Sequence, residues 1–94
     1  MFERIVCLKL VQDEGAASRA IQAARTAFPD AWVGRPFDDK SKSSWDLCIR
    51  LRSESRAHAE DVLGSGAWAK LTAELGTSVA VLKTWGFEEV EGNS

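Results

Sequence analysis

The chain has 94 residues, of which 45% are apolar and 28% charged, and its formal net charge is −2. This size predicts one domain with its own core, spanning residues 1–94 with an ordered part from about residue 3 to residue 89. The charge balance lacks the basic footprint of a nucleic-acid-binding domain, and no apolar run approaches the ~20 residues of a membrane span. The first residues lack a signal-peptide core, so we expect a soluble cytoplasmic protein with no membrane partner.

The first part of the chain predicts a strand, a helix and a second strand. The apolar run 5–11 is typical of a strand. In the next segment apolar residues recur at steps of three and four, which predicts a helix that Asp13 caps and Pro29 ends. Residues 31–37 predict a weaker strand, and Pro36 indicates a strand end or a sheet edge.

The clearest strand signal is the unbroken alternation across residues 44–52, which follows an exposed hairpin loop at 38–44. Period-two alternation predicts one buried and one uncovered face. The predicted core-facing residues are Trp45, Leu47, Ile49 and Leu51, and the residues that face the other way are Asp46, Cys48, Arg50 and Arg52.

The last part of the chain predicts a broken helical segment and a final strand. Ser53 caps a helix that runs to about Leu63, and Gly-Ser-Gly at 64–66 breaks it. A third helix ends at Gly76, and a long strand follows at 77–87. In that strand we assign one face to Val79, Val81 and Trp85, and the other to Ala80, Leu82 and Phe87.

The predicted fold class is α+β, with a ferredoxin-like βαββαβ order. Right-handed crossovers give a four-stranded antiparallel sheet with the helices on one face. Both faces of the first and last strands are largely apolar, and the helices cover only one of them. A monomer would then expose an unusually large apolar patch, so we expect a homodimer through the sheet face.

Three short segments resemble the stress-responsive dimeric α/β-barrel (Dabb) family. The start, Arg-Ile-Val-Cys-Leu-Lys-Leu at 4–10, is similar to the family's H-I-V-L-F-K-F. Ser-Trp-Asp-Leu-Cys-Ile at 44–49 is similar to its G-Y-D-L-A-L, and residues 62–68 stand where the family carries Y-L-x-H-P-x-H. The resemblance implies a dimer in which two sheets form a barrel, with a small-molecule pocket between sheet and helices in each protomer.

The histidines that some family members use as a general base are absent here. Their positions hold Arg4, Ser65 and Trp68, so we assign no catalytic residue. The candidate ligand-binding residues are Arg4, Val62, Trp68 and Trp85. Arg4 shares the parity of the helix-covered strand face, where it could bind an acidic group or form an ion pair at the rim. Trp68 could line the pocket or fill it, and we favour filling.

The leading hypothesis is a small homodimeric α/β-barrel protein without enzymatic activity, binding a small apolar or acidic ligand and needing no cofactor. The alternative is a cofactor-free monooxygenase or polyketide-cyclase-like enzyme of the same superfamily. An RNA-binding sheet would carry aromatic residues on the uncovered face of its third strand, so we expect no nucleic-acid partner. His58 has no second histidine with which to bind a metal. Cys7 and Cys48 lie on neighbouring predicted strands, where they could form a redox pair or be packed, reduced thiols facing the dimer interior, and we favour packed thiols.

Overall fold

The sheet of this protein is four-stranded and antiparallel, as predicted, and its strands lie in the order β2 (Trp32–Gly34), β3 (Leu47–Ser53), β1 (Phe2–Leu10), β4 (Val79–Glu88). The structure is a computed structural model that describes residues 1–37 and 45–90, so the predicted loop at 38–44 lies outside the described residues. Short 3-10 turns occupy Val62–Gly64 and Gly76–Ser78. The strands and helices are β1 (Phe2–Leu10), α1 (Ala16–Ala27), β2 (Trp32–Gly34), β3 (Leu47–Ser53), α2 (Arg56–Asp61), α3 (Gly66–Leu75) and β4 (Val79–Glu88).

The core lies between the helices and one face of the sheet. Val6 and Leu8 of β1 are buried there with Leu47 and Ile49 of β3, which confirms the predicted inward positions of Leu47 and Ile49. Alanines line the buried side of α1, and their small side chains let the helix backbone approach the sheet closely. The core residues are Val6, Leu8, Ala20, Ala23, Ala24, Leu47, Ile49, Leu71 and Leu75.

The other face of the sheet is covered by no helix of the described chain, and we call it the open face. Strand register arranges it in rows of neighbouring side chains. One row runs Trp32, Arg50, Ile5, Trp85, and the next runs Gly34, Cys48, Cys7, Lys83. The remaining members are Glu3, Lys9, Arg52, Val81 and Phe87 from the strands, and Trp45, which packs against Trp85.

Trp45 does not face the core, so that prediction is wrong. The alternation breaks at Asp46, whose backbone N–H donates to the Leu8 carbonyl while its carboxylate accepts from the Leu10 N–H at 2.8 Å. Strand β3 therefore begins at Leu47, after this local irregularity. The Trp45 ring instead meets Trp85 edge to face, with the ring centroids 6.2 Å apart.

The predicted faces of the last strand also need correction. Phe87 pairs in register with Glu3 and Trp85 with Ile5, so Phe87 shares the open face with Trp85 rather than opposing it. Val79 packs against the core instead of sharing the face of Trp85, because the register with β1 shifts beyond Lys9.

The helix starts differ by one or two residues from the sequence-based positions. The Asp13 carboxylate accepts from the Gly15 N–H, but Gly15 is the N-cap residue of α1. Helix α2 is capped by Ser55, which accepts from the His58 N–H, and not by Ser53. Gly76 ends α3 with φ of 43°, a left-handed conformation that favours glycine.

Candidate functional site

Arg4 lies in an open cleft between the end of the sheet and helix α2. It is a β1 residue on the helix-covered face, because it pairs with Leu51 on one side and Gly86 on the other. The cleft has a volume of about 210 Å³. Its walls are Phe2, Glu3, Arg4, Arg56, Ala59, Glu60, Gly86, Phe87 and Glu88.

The charge of Arg4 is not neutralised by an ion pair within the described ranges 1–37 and 45–90. Its Nε is buried and donates to no acceptor there. Of the acidic residues of the cleft, Glu60 accepts from the Arg56 Nε at 2.8 Å and Glu3 pairs with Arg50 and Arg52, while Glu88 adds a third carboxylate. A buried donor without a partner is costly, so Arg4 is suited to receive an acceptor from outside the chain.

Arg56 faces the same cleft but already forms an ion pair with Glu60. Its hydrogen bond to Glu60 raises the pKa of the guanidinium, and the charges of Glu60 and Glu88 raise this pKa further. Arg56 and Glu60 are four residues apart on α2, the spacing at which helical side chains meet. The two arginines of the cleft therefore differ: the Arg56 guanidinium forms an ion pair with Glu60, whereas Arg4 forms no ion pair within the described residues.

Gly86 gives the Arg4 guanidinium its place on the sheet. A Cβ at position 86 would stand 3.4 Å from the nearer terminal nitrogen of Arg4 and 3.6 Å from its Cζ. Because Gly86 has no side chain, the flat guanidinium of Arg4 lies against the backbone of β4 at this position. The sequence analysis missed Gly86 and Phe2 as cleft residues, because their proximity to Arg4 depends on the β1–β4 register.

The other candidate ligand-binding residues are not brought together with Arg4. Trp68 packs against the buried core through α3, and the Ser65 hydroxyl, which accepts from the Trp68 N–H, fixes the start of that helix. Val62 lines a second cleft of about 300 Å³, together with His58 and the segment that follows α1. Trp85 is on the open face, across the sheet from the Arg4 cleft.

Cys7 and Cys48 are direct partners in the β1–β3 register, near the centre of the open face. Both are free thiols; Cys7 is buried and Cys48 partly exposed. Desolvation, together with the neighbouring Cys48, raises the pKa of the Cys7 thiol to about 11. Cys7 is therefore protonated at neutral pH.

Membrane-spanning and metal-binding features are missing from the described part of the chain. Over residues 1–37 and 45–90, no helix combines the length and the apolar character needed to cross a membrane. Within the same ranges, no three or more His, Cys, Asp or Glu side chains cluster in a way that could hold a metal ion.

Comparison with solved structures identifies the fold. A dimeric protein of unknown function and ferredoxin-like fold from Bacteroides fragilis matches with a TM-score of 0.72, at 11% identity, over 94% of this chain and 95% of its own. A dimeric ferredoxin-like protein of unknown function from Jannaschia sp. matches with a TM-score of 0.70, at 16% identity, over 94% and 98% of the two chains. This chain has the ferredoxin-like fold.

The resemblance to Dabb domains is confirmed at the level of structure. A Dabb family protein with a ferredoxin-like fold from Mesorhizobium loti matches with a TM-score of 0.72, at 9% identity, over 95% of this chain and 96% of its own. No family model and no curated protein matches the sequence. The likeness to these solved structures is therefore one of fold.

Proposed function

We propose that this ferredoxin-like protein is a homodimer joined through its open face, and that each protomer binds a small acidic ligand in the Arg4 cleft. The observation that carries the binding proposal is the buried, unpartnered Nε of Arg4. The dimer proposal rests on the exposed aromatic side chains of the open face.

The open face exposes several large apolar side chains. Trp85 is 42% exposed and Phe87 55% exposed, and Val81 lies beside them on β4. The edge strand β2 adds Trp32 at the other side of the sheet. A contiguous patch of large apolar side chains rimmed by charged residues is typical of a protein–protein interface. The neighbours from Bacteroides fragilis and Jannaschia sp. are described as dimeric, which supports a second copy as the partner.

The dimer proposal is tested by measuring the molecular mass in solution of the wild type and of two variants, each with one introduced carboxylate. We expect sedimentation at micromolar concentration to give about twice the 10.3 kDa of one chain. Trp85→Asp should shift the protein to monomer, because it places a carboxylate in the apolar part of the open face. Leu63→Asp is the control, since Leu63 is 38% exposed but lies on the helical side. A monomeric wild type, or equal effects of both variants, would contradict the dimer.

The cleft favours a small ligand with an acidic group. Its volume of about 210 Å³ is below the roughly 300 Å³ at which drug-sized pockets begin. Phe2 supplies an apolar wall, and Arg4 supplies donors in the planar geometry that carboxylates accept.

Benzoate is a suitable probe for the cleft because it combines a carboxylate with a flat apolar ring. We expect benzoate to bind the wild type in calorimetry and benzamide, its neutral counterpart, to bind at least tenfold more weakly. Arg4→Ala should abolish benzoate binding while it changes the free energy of unfolding by only about 0.5 kcal/mol.

Arg56→Ala is the matched control, since Arg56 lies in the same cleft but already pairs with Glu60. Benzoate binding should survive in this variant. Loss of benzoate binding in both arginine variants would point to a general electrostatic effect. A large loss of stability in Arg4→Ala would instead make Arg4 a structural residue and remove the ligand's anchor.

A further inference from the structure

We propose that Cys7 and Cys48 form a redox-active cross-strand dithiol, which a small disulfide such as oxidised glutathione converts into an intrachain disulfide. The Arg4 cleft does not contain these thiols, whereas a dimer through the open face would cover them, so the proposed reaction takes place on the separated protomer. The two residues are direct register partners on the two central strands, and both side chains lie on the open face.

The geometry of the antiparallel pair allows the bond to form. Directly opposed residues have Cβ atoms about 4.5–5.5 Å apart, and a disulfide needs about 3.5–4.5 Å. Cys7 and Cys48 are such a directly opposed pair, so closing the bond requires a further approach of β1 and β3. A disulfide closed in this way would be strained, and strained disulfides are readily reduced again.

The two sulfurs differ in access, which sets the order of reaction. Cys48 is partly exposed, and its partner on the β2 side is Gly34, over which the Trp32 ring lies. Cys7 is 9% exposed and lies between Cys48 and Lys83 in the same row. Cys48 should therefore react first with a disulfide in solution, and Cys7 should act second, from within the sheet.

The proposed reaction is two successive thiol–disulfide exchanges. The Cys48 thiolate attacks one sulfur of oxidised glutathione, forms a mixed disulfide and releases one glutathione thiolate. The Cys7 thiolate then attacks the Cys48 sulfur and releases the second glutathione. Each protein thiol gives up one proton and each released glutathione takes one up, so the two protein thiols are oxidised as one glutathione disulfide is reduced to two thiols.

The test is incubation of the native protein with oxidised glutathione, followed by mass spectrometry and non-reducing electrophoresis. The wild type should lose both free thiols and gain an intrachain bond between the peptides that contain Cys7 and Cys48, without a retained glutathione. Cys7→Ser should stop at a stable glutathione adduct on Cys48. Cys48→Ser should form an adduct at least about tenfold more slowly, because only the buried thiol remains.

Other products would overturn the proposal. These are a persistent glutathione adduct on wild type, a bond between two chains, or no reaction in the native protein when the urea-unfolded chain reacts. The dimer is judged separately, by the dependence of the oxidation rate on protein concentration. A dimer through the open face would shield the thiols, so the rate per chain should fall as concentration rises. A constant rate would argue against that dimer and leave the dithiol proposal standing.

Discussion

Truncation of Trp68 distinguishes between two roles of this side chain, filling the core and lining a pocket. Trp68 packs against the buried cluster of α1, α3 and the sheet, and it lines neither the Arg4 cleft nor the cleft of Val62. An aromatic side chain packed in this way removes about 150 Å² from water, which at about 25 cal/mol per Å² is worth about 3–4 kcal/mol. We therefore expect Trp68→Ala to lower the free energy of unfolding by about 3–4 kcal/mol, within the range for core aromatics.

Urea unfolding followed by circular dichroism is the assay, repeated at several protein concentrations. Because Trp68 is on the helical side of the sheet, its loss should cost the same at every concentration. Trp32→Ala is the matched control: Trp32 is 54% exposed on the edge strand of the open face, so truncation should cost an isolated protomer about 1 kcal/mol or less. A loss below about 1.5 kcal/mol for Trp68→Ala would refute core filling.

Three further predictions follow from local contacts. Because folding raises the Cys7 pKa to about 11, the folded state favours the neutral thiol. The free energy of unfolding should therefore fall as pH rises from about 9 towards 11, by at most about 1.4 kcal/mol per pH unit. Urea titrations of Cys7→Ala should lack this component, and identical pH profiles for wild type and variant would contradict the prediction. Gly34→Ala should destabilise by about 1 kcal/mol, since a Cβ there would overlap the Trp32 ring, whereas Gly64→Ala meets open space and should be neutral in the same unfolding assay. Asp46→Ala should cost about 1 kcal/mol and speed hydrogen exchange at the Leu10 amide; unchanged exchange would show that the carboxylate does not hold that strand end.

The sequence contained the information for the layers of the fold. Alternation at Leu47 and Ile49, together with the three- and four-residue spacing of alanines in α1, placed both sides of the core correctly. The same parity placed Arg4 on the helix-covered face. The predicted face of Phe87 is wrong. Phe87 stands two residues after Trp85, so unbroken alternation along the strand already assigns both side chains to one face.

The remaining features depend on contacts between distant segments. Trp45 lies on a different face from the predicted one because the Asp46 carboxylate accepts from the Leu10 N–H, a contact between residues 36 positions apart. The place of Gly86 under Arg4 follows from the β1–β4 register, which periodicity within one strand does not specify. The pairing of Cys7 with Cys48 likewise needed the β1–β3 register. Local pattern therefore predicts which way a side chain points, and register decides which side chain it meets.

The central place of β1 has a consequence for how the chain folds. This first strand is flanked by β3 and β4, and its pairing with β4 joins Phe2 to Glu88. During synthesis one edge of β1 stays unpaired until residues 79–88 emerge from the ribosome. Pairings between such remote segments slow folding, and an unpaired apolar strand is prone to aggregate. Nascent chains halted before β4 should therefore be the form of this protein that most needs a chaperone.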